Sequence, residues 1–337
     1  MIKEAIARLV DGHALTMDEA STVMEEIMGG TATPAQFGSF VTALRLHGET
    51  VDEIAGLART MRSKALRVQI KEPVVDTCGT GGDASGTFNI STTAAFIVAA
   101  CGLKVAKHGN RAMSSRCGSA DVLEALGVKI DLNPEQVQKC LATVGIGFML
   151  APVFHPAMKF AAAPRKEVGI RTVFNILGPL TNPASARAQV LGVPKKDLTE
   201  KMAAVLKMLD CHHALVVHGE DGLDEITVTG KTYIAELNDG KISNYEITPE
   251  ECGLSRANPE SLKGGTNKEN ALLLMSILSG RKGPQRDVVL INAAAALIAG
   301  DKTATFKTGI AMAVAAIDSG KALQKLEEFI VFSQNPV

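Results

Sequence analysis

Tryptophan is absent from this 337-residue chain, tyrosine occurs twice, and aromatics make up only 4% of the residues. Stacking platforms for single-stranded nucleic acid or sugar chains are therefore scarce. An excess of charge is missing too: 35 Lys and Arg stand against 36 Asp and Glu, a formal net charge of -1, which excludes nonspecific grip on a polyanion and gives the expectation of no nucleic-acid partner. Long apolar runs are lacking. The stretches 90–103 and 288–299 are interrupted by Ser, Thr, Gly or Asn and fall short of the roughly 20 residues a membrane span needs, so they read as buried helices and no membrane partner is expected. The six cysteines (Cys78, Cys101, Cys117, Cys140, Cys211, Cys252) form no C-x-x-C pair, against a zinc knuckle or a disulfide framework. The segment Met1-Ile2-Lys3-Glu4-Ala5 has no basic region leading into an apolar stretch and cleavage site, which gives the expectation of a cytoplasmic location.

What is present is aliphatic: 46% of residues are hydrophobic and 21% charged, enough for a sizeable core in one large domain or two unequal ones. Thr16…Glu19, Thr33-Pro34…Gln36 and Thr50…Glu53 each place a hydroxyl three residues ahead of a reciprocal acceptor, which predicts helices starting near 17, 34 and 51. From Val74 onward short β-branched or apolar runs (74–75, 103–106, 128–130, 146–150, 189–193, 214–217) alternate with helical stretches, the pattern of a mostly parallel sheet flanked by helices. Asn238-Asp239-Gly240, between 231–237 and 241–247, predicts a hairpin and hence an antiparallel part. Segments 268–279, 285–299, 306–318 and 321–333 read as helices. The fold class expected is α/β: a small all-helical N-terminal domain over 1–70, to which helices near 156–180 can return, and a larger α/β domain over 71–337.

Three stretches carry chemistry. Asp76-Thr77-Cys78-Gly79-Thr80-Gly81-Gly82-Asp83, followed by Thr87-Phe88-Asn89-Ile90-Ser91-Thr92-Thr93, runs strand, glycine loop, helix start. Glycines let backbone N–H groups face a ligand and a helix N-terminus adds free donors, so phosphate or pyrophosphate is the natural guest; neither a Walker nor a Rossmann pattern fits. Lys107-His108-Gly109-Asn110-Arg111, with Ser114, Ser115 and Ser119 beyond, follows another predicted strand, and ligands of open parallel sheets gather outside such carboxyl ends. Lys107 can neutralise phosphate there, whereas Arg111 and Arg116 also fit a solvated loop. Asp224-Glu225, opposite a pyrophosphate, can hold Mg²⁺ with Ser91 supplying a further oxygen. The expectation is that these turns meet in one pocket.

Together Gly79-Thr80-Gly81-Gly82-Asp83, Asn89-Ile90-Ser91-Thr92, Lys107-His108-Gly109-Asn110-Arg111, the run 119–127, Arg165, the run 171–183 and Asp224-Glu225 closely resemble the anthranilate phosphoribosyltransferase family, over nearly the whole chain. The resemblance implies a nucleoside phosphorylase/phosphoribosyltransferase-like fold, a homodimer through the helical domain, and two Mg²⁺ ions per site. It implies that Gly79, Gly82, Asp83, Thr87, Asn89, Ile90, Ser91, Thr92, Lys107, His108, Gly109, Asn110, Arg111, Ala112, Met113, Ser114, Ser115 and Ser119 surround phosphoribosyl pyrophosphate. Gly79, Asn110 and Arg165 would meet anthranilate, and Ser91, Asp224 and Glu225 would serve the metal.

The attacking amine is nucleophilic and the leaving pyrophosphate already anionic, so electrostatics and positioning are expected to carry the reaction with no assigned acid or base. His108 is the one histidine in a motif, with orienting the loop favoured over touching substrate; His13, His47, His155, His212, His213 and His218 read as structural. Two alternatives share the fold: a pyrimidine nucleoside phosphorylase, which also uses a Lys-His loop, and a non-catalytic nucleic-acid-binding relative. The Asp224-Glu225 pair and Arg165 oppose the first, and the balanced charge opposes the second.

Overall fold

The structure, a computed structural model, describes residues 1–83, 85–112 and 116–336. The three expected caps form: Thr16, Thr33 and Thr50 each accept the backbone N–H three residues on, and Glu19, Gln36 and Glu53 return the contact. They open α2 (Met17–Met28), α3 (Pro34–His47) and α4 (Val51–Lys64). An unforeseen helix, α1 (Ile2–Val10), precedes them; no side chain caps it, so it carried no start signal, and it forms by burying Ile2, Ala5 and Leu9.

The rest of the chain builds a seven-stranded sheet: β1 (Val74–Gly79), β2 (Lys104–Gly109), β3 (Ile146–Leu150), β4 (Ala188–Gly192), β5 (His213–Gly219), β6 (Thr232–Asn238) and β7 (Lys241–Ile247). Its order is β3-β2-β1-β4-β5-β6-β7, parallel from β3 through β5 and antiparallel for the last two. Asp239 and Gly240, both at positive φ, close the β6–β7 hairpin as a two-residue turn. One expected strand does not exist. Residues 128–130 have no ladder partner; Val128 and Ile130 are buried as loop side chains, and the Lys129 N–H donates to Ser333 Oγ at 3.0 Å. Burial produced an apolar run that mimics a strand.

One sheet face packs on α5 (Ile90–Ala100) and α12 (Pro284–Ala299), backed by α11 (Asn267–Leu278), α13 (Phe306–Asp318) and α14 (Lys321–Gln334). Between β2 and β4 run α6 (Ser119–Ala125), α7 (Pro134–Thr143), α8 (Ala151–Phe154) and α9 (Lys159–Val168), and α10 (Asp197–Met208) leads into β5. The other face packs on α10, and its apolar cluster continues without a break into α1–α4. Segment 157–177 joins this layer: α9 packs on α2 and α3, and Phe174 lies 5.2 Å from Phe37 ring to ring, a contact worth on the order of 1 kcal/mol beyond area burial.

At the amino ends of β4 and β5, His213 sits between Asp301 (Nδ1 to Oδ1, 2.7 Å) and Glu236 (Nε2 to Oε1, 2.8 Å). Burial alone lowers the imidazolium's pKa, but the two carboxylates outweigh it and raise it above the ordinary value of 6.5, while the His213 contact draws Glu236 down. A raised histidine pKa gives stability that is complete below pH 6.5 and is lost as pH rises through the folded-state value; Glu236 loses its share only as pH falls through its depressed one. His213→Gln is expected to lower Tm by about 2–4 °C at pH 6 and less at pH 9. Thermal denaturation across that range checks this, and an equal loss at both pH values would refute it.

Candidate active site

The chain leaves β1 toward β2 on one side, and β4 later takes the other side of β1. Such a reversal opens a crevice outside the carboxyl ends of the two strands. Gly79 ends β1, Gly192 ends β4, and the two are register partners. Asp224 lies above both. A Cβ on Gly192 would overlap the Asp224 backbone and one on Gly79 would overlap its carboxylate, so the strand ends are glycine because the acidic loop presses on them. That loop is nailed down by buried Leu223 and Ile226, and by Asn292 of α12, which accepts the Ile226 N–H (2.9 Å) and donates to its carbonyl (2.8 Å).

The three predicted turns meet here. The Gly81 N–H donates to Asp224 Oδ2 at 2.7 Å, and the Ser91 N–H at the start of α5 donates to Glu225 Oε1 at 3.2 Å. Lys107, buried, reaches between them: its ammonium donates to the Thr77 carbonyl and lies 3.4 Å from Ser91 Oγ. Lys107 is thus a counter-ion inside the wall, close enough to pull down the pKa values of Asp76 and Glu225. Burial still dominates: Glu225 is pushed up to about 7, and Asp224 is raised well above the carboxylate range by burial and then by Asp83 and Glu225.

A cleft of about 330 Å³ lies over these groups. All of the predicted residues that are described line it, from Gly79, Gly82, Asp83, Thr87, Asn89, Ile90, Ser91 and Thr92 through Lys107, His108, Gly109, Asn110, Arg111, Ala112 and Ser119 to Arg165, Asp224 and Glu225. Met113, Ser114 and Ser115 lie outside the described residues.

Several side chains have local tasks. Asn89 does not cap α5; it donates to the Cys117 carbonyl (3.2 Å) and accepts from Asn270 (3.1 Å), tying the glycine loop to α11. Arg111 makes a two-pronged pair with Glu124 (2.7 and 2.9 Å), so its guanidinium is committed and its backbone is what faces the cleft. Asp121 holds that loop by accepting the Ala112 and Gly118 N–H groups at 2.8 and 2.9 Å.

His108 is bonded into the wall of the cleft. Its N–H reaches Asp76 (3.3 Å), Nδ1 pairs with the Gly178 carbonyl (3.1 Å), and its ring lies 5.0 Å from that of His155. Burial pushes its pKa down to about 3 and that of His155 to about 4, so both are neutral near pH 7. Asp76, buried and raised to about 6, is satisfied by His108 and by Asn182 Nδ2 (2.7 Å).

Among the residues lining the cleft to which sequence reading assigned no role are Arg171, Asn175, Gly265 and Asn270. A signal existed for one pair, since Gly264-Gly265 stands just before the Thr266…Glu269 capping box that starts α11; its Gly264 N–H bonds the Gly86 carbonyl at 2.9 Å. Arg171 opens the run 171–183 that carries the family resemblance, but no role for it followed from that run, because its contact is made 90 residues away in sequence, with Gly81.

Among the described residues, no three His, Cys, Asp or Glu side chains form a ready metal cage. The donor set suits a hard cation that keeps waters and substrate oxygens: two adjacent half-buried carboxylates, both raised in pKa, whose anionic forms a divalent ion would favour.

Comparison with known proteins agrees with this geometry at every scale. Models described as the helical bundle domain and the a/b domain of a glycosyl transferase family match residues 3–65 and 71–323. Anthranilate phosphoribosyltransferase of Dehalococcoides mccartyi is 58% identical over 337 residues, 99% of each chain. That of Chloroflexus aggregans is 59% identical over 335 residues, 99% of this chain and 98% of the other. The crystal structure of anthranilate phosphoribosyltransferase from Thermus thermophilus matches with a TM-score of 0.93 at 45% identity, over 98% of this chain and 99% of that one. The Saccharomyces cerevisiae protein in complex with PRPP and Mg matches at 0.91 and 29%, over 99% and 98%. With a glycine loop, an acidic doublet and an arginine-lined wall in the places where such likeness is full-length, the chain belongs to the anthranilate phosphoribosyltransferase family.

Proposed function

We propose that the protein transfers the 5-phosphoribosyl group of phosphoribosyl pyrophosphate to the amine of anthranilate, releasing pyrophosphate, in tryptophan biosynthesis. The observation that carries this reading is the convergence on one cleft of the glycine loop, the Asp224-Glu225 doublet and Arg165. Gly81 and Ser91 give their N–H groups to Asp224 and Glu225, so the diphosphate end falls to the other N–H groups of the glycine loop and of the start of α5. Arg165, in the last turn of α9, presents a planar fork to the anthranilate carboxylate, with Asn110 and Gly79 nearby. Asp224, Glu225 and Ser91 would hold Mg²⁺, two ions as the family resemblance implies, and the metal would supply positive charge to offset that on the departing pyrophosphate.

The amine nitrogen bonds to ribose C1 as the C1–O bond breaks from the opposite face, which inverts C1, and the amine proton passes to water. No side chain need act as base, since the depressed pKa of His108 leaves it a poor proton acceptor near neutral pH. The chain's work is alignment and charge stabilisation.

The division into a helical domain over 1–70 and an α/β domain over 71–337 belongs to this reading, as does a cytoplasmic homodimer joined through the helical layer. Support for the dimer comes from Val10 and Leu46, 71% and 83% exposed on the mutually packed α1 and α3. Support for a reducing compartment comes from the six free cysteines.

Loss of anthranilate fluorescence in the presence of phosphoribosyl pyrophosphate and Mg²⁺ tests the activity; no consumption, or phosphorolysis of thymidine or uridine instead, would overturn it. Arg165→Ala is expected to raise KM for anthranilate about 10- to 100-fold, the worth of a charge-assisted pair, and KM for phosphoribosyl pyrophosphate less than about threefold. Equal losses for both substrates refute the Arg165 assignment. For Asp224→Asn combined with Glu225→Gln, turnover should be lost while Tm holds or rises, because the raised pKa values mean that the ionised carboxylates cost the fold at neutral pH. Retained activity at limiting Mg²⁺ would take the doublet out of the metal site.

A further inference from the structure

Arg171 follows α9 and reaches across the cleft to the glycine loop. Its Nη2 donates to the Gly81 carbonyl at 2.9 Å, while the N–H of the same Gly81 donates to Asp224 Oδ2 at 2.7 Å. Gly81 therefore links a cation on the helical side to an acid on the sheet side. The next residue is shaped for this contact: Gly82 has φ +82°, and a Cβ there would overlap the Arg171 guanidinium. Among the described residues no carboxylate lies within ion-pair distance of Arg171, whereas Arg8, Arg59, Arg111, Arg256 and Arg286 all have hydrogen-bonded acidic partners. Arg165 lies close by, and after burial the charge of Arg171 is what lowers its pKa. A charged side chain whose hydrogen-bond partner among the described residues is a loop carbonyl, packed beside a residue whose positive φ favours glycine, fixes where that loop stands.

We propose that Arg171 is a positioning residue for phosphoribosyl pyrophosphate: through Gly81 it sets the glycine loop against Asp224 so that the loop's N–H groups meet the diphosphate. The proposal rests on the function proposed above and deepens it by separating two neighbouring arginines, Arg165 serving the acceptor and Arg171 the donor. A guanidinium suits the task because its flat fork fits beside Gly82 and can hold a carbonyl while its other N–H groups face the cleft, which an ammonium cannot reproduce.

Arg171→Ala and Arg171→Lys test it, by steady-state kinetics and by calorimetric binding of phosphoribosyl pyrophosphate with Mg²⁺, which needs no turnover. Arg171→Ala is expected to reduce kcat/KM for phosphoribosyl pyrophosphate roughly 10- to 100-fold, the scale set by small misplacements in a site, and to weaken its binding, with KM for anthranilate changed less than about twofold. Tm should be unchanged, Arg171→Lys should restore little, and added guanidinium ion, but not methylammonium, should restore part of the activity of Arg171→Ala. Unaltered binding of phosphoribosyl pyrophosphate in Arg171→Ala, equal losses for both substrates, or a loss that follows a fall in Tm would each overturn the proposal. An inactive wild-type protein would instead overturn the proposed function, and the binding comparison would still decide the role of Arg171.

Discussion

Two adjacent carboxylates held in the protein wall beside one lysine are the constraint around which the cleft is built. Removing an ion from water costs several kcal/mol even after relaxation, so Asp224 and Glu225 stay where they are only if backbone donors and a counter-charge meet them. The Gly81 N–H, the Ser91 N–H and Lys107 do so. Each of these comes from a different strand end or helix start, so satisfying the doublet fixes the relative placement of β1, β2, α5 and the loop after β5. The glycines at 79 and 192 follow from the same demand, because the acidic loop lies against them with no room for a side chain.

The charges of the cleft are sorted by layer. Carboxylates come from the sheet side, where Asn292, Leu223 and Ile226 make the loop rigid. Two of the cleft's guanidiniums, Arg165 and Arg171, come from the segment that returns to the helical layer after β3 and lie near each other, among the described residues without hydrogen-bonded acids; Arg111 and Arg116 stand on the loop after β2. The acidic wall favours a cation and the basic wall favours anions; a metal-bound diphosphate together with a carboxylate meets both. Separation of this kind needs two layers able to face each other, which gives the helical layer a part in the chemistry as well as in the core.

Much of this was legible in sequence where the signal is local. The threonine caps at 16, 33 and 50, the Asp239-Gly240 hairpin and the glycine loop are each specified by a few neighbouring residues, and each formed as read. Helix α1 was missed because its apolar face supplies the stabilisation and no cap announces it; residues 128–130 were misread because a buried loop and a short strand present the same apolar run. Lys107 and Arg111 were placed correctly along the chain, but their partners, the Thr77 carbonyl and Glu124, depend on tertiary packing that no spacing rule encodes. Arg171 is the extreme case, a residue whose hydrogen bond is made with Gly81, 90 residues away in sequence.

The histidines show what kind of catalyst this arrangement makes. His108 and His155 lie with tilted rings in the wall, and burial holds both neutral across the physiological range, so neither offers an imidazolium to a leaving group. Pyrophosphate needs none, being an anion before it departs. What the reaction lacks in water is alignment of a weakly basic amine with one face of C1 and stabilisation of charge on the other. His108 contributes by fixing segments: its backbone meets Asp76 and its ring meets Gly178, so β1, β2 and the 178–182 turn move as one. Catalysis that rests on placement alone concentrates sensitivity in side chains that hold main-chain atoms. That is why a lysine, a histidine and an arginine bonded to the carbonyls of Thr77, Gly178 and Gly81 line the cleft.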